Sequence, residues 1–261
     1  MSMTITPLSS SSAGNSVLVS VNGSNILIDC GIPVTRLRRG LEAAGVSLSS
    51  VKGILLTHEH DDHIRTVAAV SENYSIPVYA EERTMRAVKR RTGLKGGFYF
   101  TGTSAFSLAG MEIRPFSTPH DAVFPVGYSV NTAEGRFVLA TDIGWFSPSV
   151  TEAMRGADIV MIESNHDVDM LLNGSYPKYL KQRILSQRGH LSNASCAEAV
   201  IKILDSGTRK FILGHLSEHN NTTSLALGTT VAALGKLGAE AGTDYEICVA
   251  PLKEAGKGIT L

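Results

Sequence analysis

Short apolar runs recur along the chain, among them Ile26-Leu27-Ile28, Ile54-Leu55-Leu56, Phe137-Val138-Leu139 and Phe211-Ile212-Leu213. Runs of this length, bounded by polar and turn residues, read as buried strands. The pattern predicts strands over residues 4–8, 17–21 and 26–29, the last two joined by a hairpin turn at Asn22-Gly23. Ser9 to Asn15 reads as a small-residue loop. A helix over 36–44 stops at Gly45, and a strand follows over 53–56. Then come a helix through Val67 and Val70 to Tyr74, a strand beginning Pro77-Val78-Tyr79, and a charged helix over 81–92. Residues 98–139 change to short β segments, at 98–100, 105–108, 112–116, 127–130 and 137–139. Ala109-Gly110 and Glu134-Gly135 supply turns among them. Helices over 149–154, 177–185, 195–204 and 224–237 then alternate with strands over 159–162, 210–213 and 245–249.

There is no internal repeat and no linker. Two runs of hairpins, each followed by helix–strand alternation, predict two mixed sheets packed face to face with helices outside. One core would close over both halves, giving a single domain across residues 1–261.

The strand over 53–56 runs into Thr57-His58-Glu59-His60-Asp61-Asp62-His63. Imidazole nitrogen and carboxylate oxygen are the ligands of zinc and related divalent ions. A tight turn after a buried strand can aim His58 and His60 at one ion and Asp62 and His63 at a second. Three further ligand-type residues also directly follow apolar β runs: His120 in Thr118-Pro119-His120-Asp121, Asp142 in Thr141-Asp142-Ile143-Gly144, and His215 in Gly214-His215-Leu216. His219, four residues beyond His215, is an alternative to it.

Lysine plus arginine balance aspartate plus glutamate at 24 each, so bulk charge does not hold this protein to nucleic acid, though a local groove could. Basic residues cluster at Arg36/Arg38/Arg39, at Lys89/Arg90/Arg91 and at Lys178/Lys181/Arg183/Arg188. The first two clusters read as solvated helix faces. The third lies between two candidate catalytic segments. Three widely spaced cysteines, Cys30, Cys196 and Cys248, form neither a disulfide framework nor a zinc site, which favours a reducing cytoplasm. No apolar run is long enough to span a membrane, and the N-terminus has no export pattern.

The seven-residue word resembles the His-X-His-X-Asp-His motif of the metallo-β-lactamase superfamily, and the spacing to His120, Asp142 and His215 is similar to its later motifs. The likeness implies an α/β fold, the four-layer αββα sandwich. It implies one metal held by His58, His60 and His120, a second by Asp62, His63 and His215, and Asp142 bridging the two. The two ions would be divalent, with zinc favoured and manganese or iron possible. Within the superfamily, β-lactamases commonly place Cys where this chain has Asp142, and the large RNA-cutting members carry an inserted domain that no gap between motifs here could hold.

Further words are similar to the YycJ (WalJ) family, a bacterial branch. They are Gly14-Asn15-Ser16, His120-Asp121-Ala122-Val123, Glu163-Ser164-Asn165-His166-Asp167, Gly189-His190-Leu191-Ser192-Asn193 and Gly214-His215-Leu216-Ser217. One departure is His219, where the family pattern has Glu. This resemblance implies 5′-to-3′ exonuclease activity on DNA. A hydroxide shared by two metals would attack the phosphodiester, and Asp62 would both ligate and orient it. Similar to the tRNA-processing relatives, Glu163 would orient His190 as general acid toward the departing oxygen. Asn15, Asn165, His166 and Asn193 are candidates for substrate contacts. The rival readings are a small-molecule phosphodiesterase, a thioester or lactone hydrolase on the same metals, and a non-catalytic metal-binding scaffold.

Overall fold

A computed structural model of the chain describes residues 2–252 and 255–261. Its first half runs β1 (Met3–Ser11), β2 (Gly14–Val21), β3 (Ser24–Ile28), α1 (Val34–Ala43), β4 (Val51–Leu55), α2 (Asp61–Ile64), α3 (Val67–Tyr74), β5 (Val78–Glu81), α4 (Glu82–Thr92) and β6 (Phe98–Phe100). The second half runs β7 (Phe106–Leu108), β8 (Met111–Ser117), β9 (Val126–Thr132), β10 (Gly135–Ala140), α5 (Pro148–Met154), β11 (Ile159–Glu163), α6 (Val168–Asn173) and α7 (Lys178–Ile184). It closes with α8 (Asn193–Asp205), β12 (Lys210–Gly214), α9 (Thr223–Gly235), β13 (Glu246–Val249) and β14 (Ile259–Thr260).

The strands form two seven-stranded sheets, ordered β14-β1-β2-β3-β4-β5-β6 and β13-β12-β11-β10-β9-β8-β7. In each, antiparallel hairpins give way to parallel strands: at β3–β4 in the first sheet and at β10–β11 in the second. The chain returns at its end to pair β14 with β1, so the first sheet is built from both ends of the sequence.

Strand side chains alternate between faces, and here the alternation sorts residues into separate cores. Val17, Val19, Ile26, Ile28, Phe137, Leu139, Ile159 and Met161 pack between the sheets. Leu18 and Leu27, on the opposite face, meet Leu37 and Leu41 of α1, Val67 and Val70 of α3, and Val88 of α4. Val138, Ala140, Val160 and Ile162 meet Val150 of α5, Val200 of α8 and Leu234 of α9. Strands buried on both faces need continuous apolar sequence, which explains the unbroken runs. The result is the four-layer sandwich with helices outside both sheets.

Three local expectations need correction. Ser9 to Asn15 is not a loop: β1 continues to Ser11 and β2 begins at Gly14, with Ser10 facing Asn15 across the ladder. Ser9, Ser10 and Ser11 are buried because this hairpin packs against the second half of the chain: Ser9 Oγ donates to Leu252 O, and Ser11 bridges to Leu216. The metal-motif turn contains a short helix, α2, rather than a bare turn. Residues 168–173 form α6, a helix absent from the sequence pattern, with the Asp167 carboxylate accepting from Met170 N as its cap.

Candidate metal centre

Every candidate ligand directly follows the C-terminal end of a strand, of the parallel strands β4, β10 and β12 or of the antiparallel β8. The His58–His63 segment follows β4, His120 follows β8, Asp142 follows β10 and His215 follows β12. Glu163 is the last residue of β11, in register with Gly214 of β12. Asp142 and His215 hold left-handed backbone (φ 56° and 55°), as does Asp29 just beyond β3 (φ 62°). Strained non-glycine backbone of this kind persists where surrounding structure holds it, and it concentrates at functional sites.

Residues far apart in sequence converge there. Donor atoms of His58, His60 and His120 lie within 4.8 Å of one another, and so do those of Asp62, His63 and His215. Asp142 reaches both groups: Oδ2 is 3.3 Å from His63 Nε2, while Oδ1 is 3.4 Å from His215 Nε2 and 3.7 Å from His120 Nε2. His219 stays outside the cluster, its ring set edge-on to Tyr176 at 5.7 Å.

Four of the rings are oriented through Nδ1, which leaves Nε2 turned inward. His63 Nδ1 is 2.7 Å from Asp29 Oδ2, and His215 Nδ1 is 2.7 Å from Glu163 Oε1. His120 Nδ1 is 3.1 Å from Gly189 O, and His58 Nδ1 is 3.0 Å from Thr57 Oγ1. Bonding one ring nitrogen to fix the other is how metal-binding histidines are held. Two inward atoms, His58 Nε2 and Asp142 Oδ2, are buried with no hydrogen-bond partner. Buried polar atoms are rarely left alone, and this nitrogen- and oxygen-rich donor set suits divalent cations. The residues therefore fit a pair of metal ions.

The electrostatics of the bare protein carry the same message. Burial lowers the His58 pKa well below the usual imidazole value, helped by the neighbouring His63. Burial likewise takes His120 down to about 4, against the pull of Asp142. For His215 burial also pushes downward, but Asp142, Asp62 and Glu163 outweigh it and raise the group to about 10. His63 ends well above its usual value because Asp29, Asp142 and Asp62 override its burial. Asp62 and Asp142 are depressed by the facing imidazoles, His63 and His215, despite burial that works the other way.

Glu163 is fully buried, and all its contacts are donors. Oε2 accepts from Ile143 N at 2.7 Å and Leu191 N at 3.2 Å. Oε1 faces two imidazoles, His190 Nδ1 at 2.8 Å and His215 Nδ1 at 2.7 Å. Burial would raise its pKa, but His190 and His215 take it down to about 2. One carboxylate oxygen thus orients both a candidate ligand and a candidate proton donor.

A cleft of about 210 Å³ opens over the cluster, with His60, Asp62, Asp142, His190 and His215 among its lining residues. Asn165 lines it too, its amide donating to His215 O at 2.8 Å. The other substrate candidates are placed differently. Asn15 is buried, and its amide donates to Ser11 O while lying 3.1 Å from His63 Nε2, so it braces the metal turn. Asn193 is locked between Ser164 and Asn221 and does not line the cleft. His166 is enclosed, with neither ring nitrogen hydrogen-bonded, and burial takes its pKa down to about 4. It too is outside the cleft lining.

The third basic cluster is partly committed to internal bonds. Lys181 donates to Leu172 O and Gly174 O, Arg188 donates to His120 O, and Arg183 pairs with Asp121 at the cleft wall. Sequence reasoning missed Asp29 and Glu59. Glu59 is buried between the first two histidines of the motif, and its Oε1 accepts from Val123 N at 3.0 Å in the loop after His120. No helix among the described residues is long and apolar enough to cross a membrane.

With this geometry in view, comparison with known proteins is specific. A family model described as a beta-lactamase superfamily domain matches residues 24–216. The chain is 37% identical over 247 residues to exodeoxyribonuclease WalJ of Streptococcus pneumoniae serotype 2 (strain D39 / NCTC 7466), covering 92% of this chain and 91% of that protein. It is 33% identical over 250 residues to exodeoxyribonuclease YycJ of Bacillus anthracis, covering 95% of each. The crystal structure of the metallo-β-lactamase fold protein YhfI from Bacillus subtilis aligns with a TM-score of 0.74 over 98% of this chain and 99% of that one. At 16% identity that match is one of fold.

Proposed function

The chain belongs to the metallo-β-lactamase superfamily, and from that premise we propose that it is a dinuclear metal-dependent phosphodiesterase that degrades DNA from the 5′ end. The observation that carries this reading is the full-length likeness to two proteins named exodeoxyribonucleases. Beside it stands a donor set with both a metal cluster and a separate Glu163–His190 pair.

His58, His60 and His120 would hold one ion, Asp62, His63 and His215 the other, and Asp142 would reach both. Zinc suits this histidine-rich, thiol-free set, with manganese or iron as substitutes. Bound there, such ions acidify water and offset charge on the phosphoryl oxygens. The chain's own residues do the rest. Asp62, part exposed at the cleft, orients the attacking water. Glu163 fixes Nδ1 of His190, so Nε2 is the ring nitrogen left to hold a proton for the departing oxygen. Asn165 marks the cleft wall beside His215, where the phosphate or sugar is bound. Its three cysteines, all unpaired, suit a reducing cytoplasm.

The test uses purified protein reconstituted with zinc or manganese, on DNA labelled at either end, a chromogenic phosphodiester and a thioester. Successive release of mononucleotides from the 5′ end supports the reading. Turnover of the thioester or the small diester alone replaces it with a small-molecule hydrolase, and no turnover at all replaces it with a binding protein.

A further inference from the structure

The lining of the cleft has two unlike parts. Besides the imidazoles and carboxylates it carries an apolar wall of Tyr176, Leu180 and Ile184, with Arg183 among them. Leu180 and Ile184 are one turn apart on α7 and share a face, and Tyr176 sits in the loop that leads into the helix. The wall is held in place. Lys181 Nζ donates at 2.7 Å to both Leu172 O and Gly174 O, tying the α6–α7 loop to the helix. Arg183 grips Asp121 through Nε at 2.5 Å and Nη2 at 2.8 Å, tying the helix to the loop that carries His120. The His219 ring supports the Tyr176 ring edge-on at 5.7 Å.

Hydrolysing a phosphodiester requires only the polar wall. An aromatic and aliphatic lining in the same cleft serves a part of the substrate that is flat and apolar. We propose that Tyr176 is a stacking platform for the base of the nucleotide being removed, with Leu180 and Ile184 completing its apolar surface; this rests on the nuclease reading above. A base lying against Tyr176 leaves its phosphate toward the His and Asp wall, so the two walls match the two halves of one nucleotide. A base stacked on Tyr176 within the cleft is one that has left its pair. Stacking on an aromatic side chain tolerates any base, because each has a π face. The platform therefore selects unpaired ends without selecting sequence.

The experiment compares kcat/KM of metal-reconstituted wild type, Tyr176→Leu and Tyr176→Phe on two single-stranded oligonucleotides. They are identical except that the 5′-terminal nucleotide carries adenine in one and is abasic in the other. Tyr176→Leu keeps bulk and loses the ring, and Tyr176→Phe keeps the ring. Tyr176→Leu is expected to lose about 5- to 100-fold on the adenine-ended strand. Tyr176→Phe restores most of that loss. Wild type drops by a similar factor on the abasic end, where the leucine variant loses little more. Equal losses by Tyr176→Leu on both strands, or no loss on either, overturn the platform and leave the nuclease reading standing. Wild type that cleaves neither strand while hydrolysing bis(p-nitrophenyl) phosphate overturns the nuclease reading, and the platform with it.

Discussion

Asp29 Oδ2 lies 2.7 Å from His63 Nδ1, and both side chains are almost wholly shielded from water. The same carboxylate accepts from Thr57 N at 2.9 Å and from Thr57 Oγ1 at 2.9 Å. One acid beyond β3 thus fixes both the start of the metal motif and its last histidine. Asp29→Asn keeps an acceptor but loses the charge, and Asp29→Ala loses both. The asparagine variant should bind metal about 10-fold more weakly and the alanine variant about 100-fold. The alanine variant also strands buried donors, each costing about 1–3 kcal/mol. Chelator competition reads the first effect, and the melting temperature of metal-free protein reads the second.

Glu163 and His190 should not behave alike when mutated, although they are paired. His190→Ala removes a proton donor and leaves His215 supported. Its metal content should match wild type. Its rate on an alkyl phosphodiester should fall by about 10²- to 10⁴-fold, with a far smaller loss on a p-nitrophenyl ester whose leaving group needs no proton. Glu163→Gln must turn an amide NH₂ either toward two imidazoles or toward Ile143 N and Leu191 N, where only acceptors fit. It should lose metal as well as rate. Equal leaving-group dependence for His190→Ala and wild type would remove His190 from proton transfer.

Metal uptake should release protons. In the bare protein the carboxylates hold His215 at about 10 and His63 well above its usual value, so both rings are protonated at neutral pH. A cation can take an imidazole nitrogen only after its proton leaves. At least two protons should therefore appear in solution per chain filled near pH 7, with a further one from the water the ions acidify, and affinity should rise with pH. Zinc titration calorimetry in buffers of different ionisation enthalpy measures the number. A count near zero would mean that these rings are neutral before metal arrives.

The metal motif and the ends of β8, β10 and β12 were legible because each places ligand-type residues directly after an apolar run. Asp29 follows Ile26-Leu27-Ile28 in the same way, so that signal could have found it too. The serine hairpin was not legible. Ser10 Oγ accepts from His215 N, a partner 205 residues away, and nothing local marks a serine that will be buried by such a contact. Helix α6 is one and a half turns held by its Asp167 cap, too short to show a period. The sequence offers Asn193 as a candidate substrate contact and does not show its neighbours. In the fold, its amide joins Ser164 to Asn221 under the helix start.

Gly31 offers the sharpest test of how the metal motif is seated. Its amide donates to Asn15 O at 2.9 Å, and the preceding Cys30 N donates to His63 O at 2.8 Å, so this strand end lies directly against α2. A β-carbon on Gly31 would overlap the backbone carbonyl of Asp62. Backbone cannot give way as a flexible side chain can, so Gly31→Ala must push the α2 turn outward. Asp62 and His63 would move with it, while His58 stays near the end of β4 and His120 follows β8; His60, the residue that opens α2, joins the two groups. Overpacking of this kind costs about 1–3 kcal/mol. The chain should still fold, and its metal content should fall from about two ions toward about one, with DNA turnover lost. Elemental analysis beside a thermal melt separates this from general unfolding. A Gly31→Ala protein that retains both ions and full activity would show that the α2 turn has room to spare.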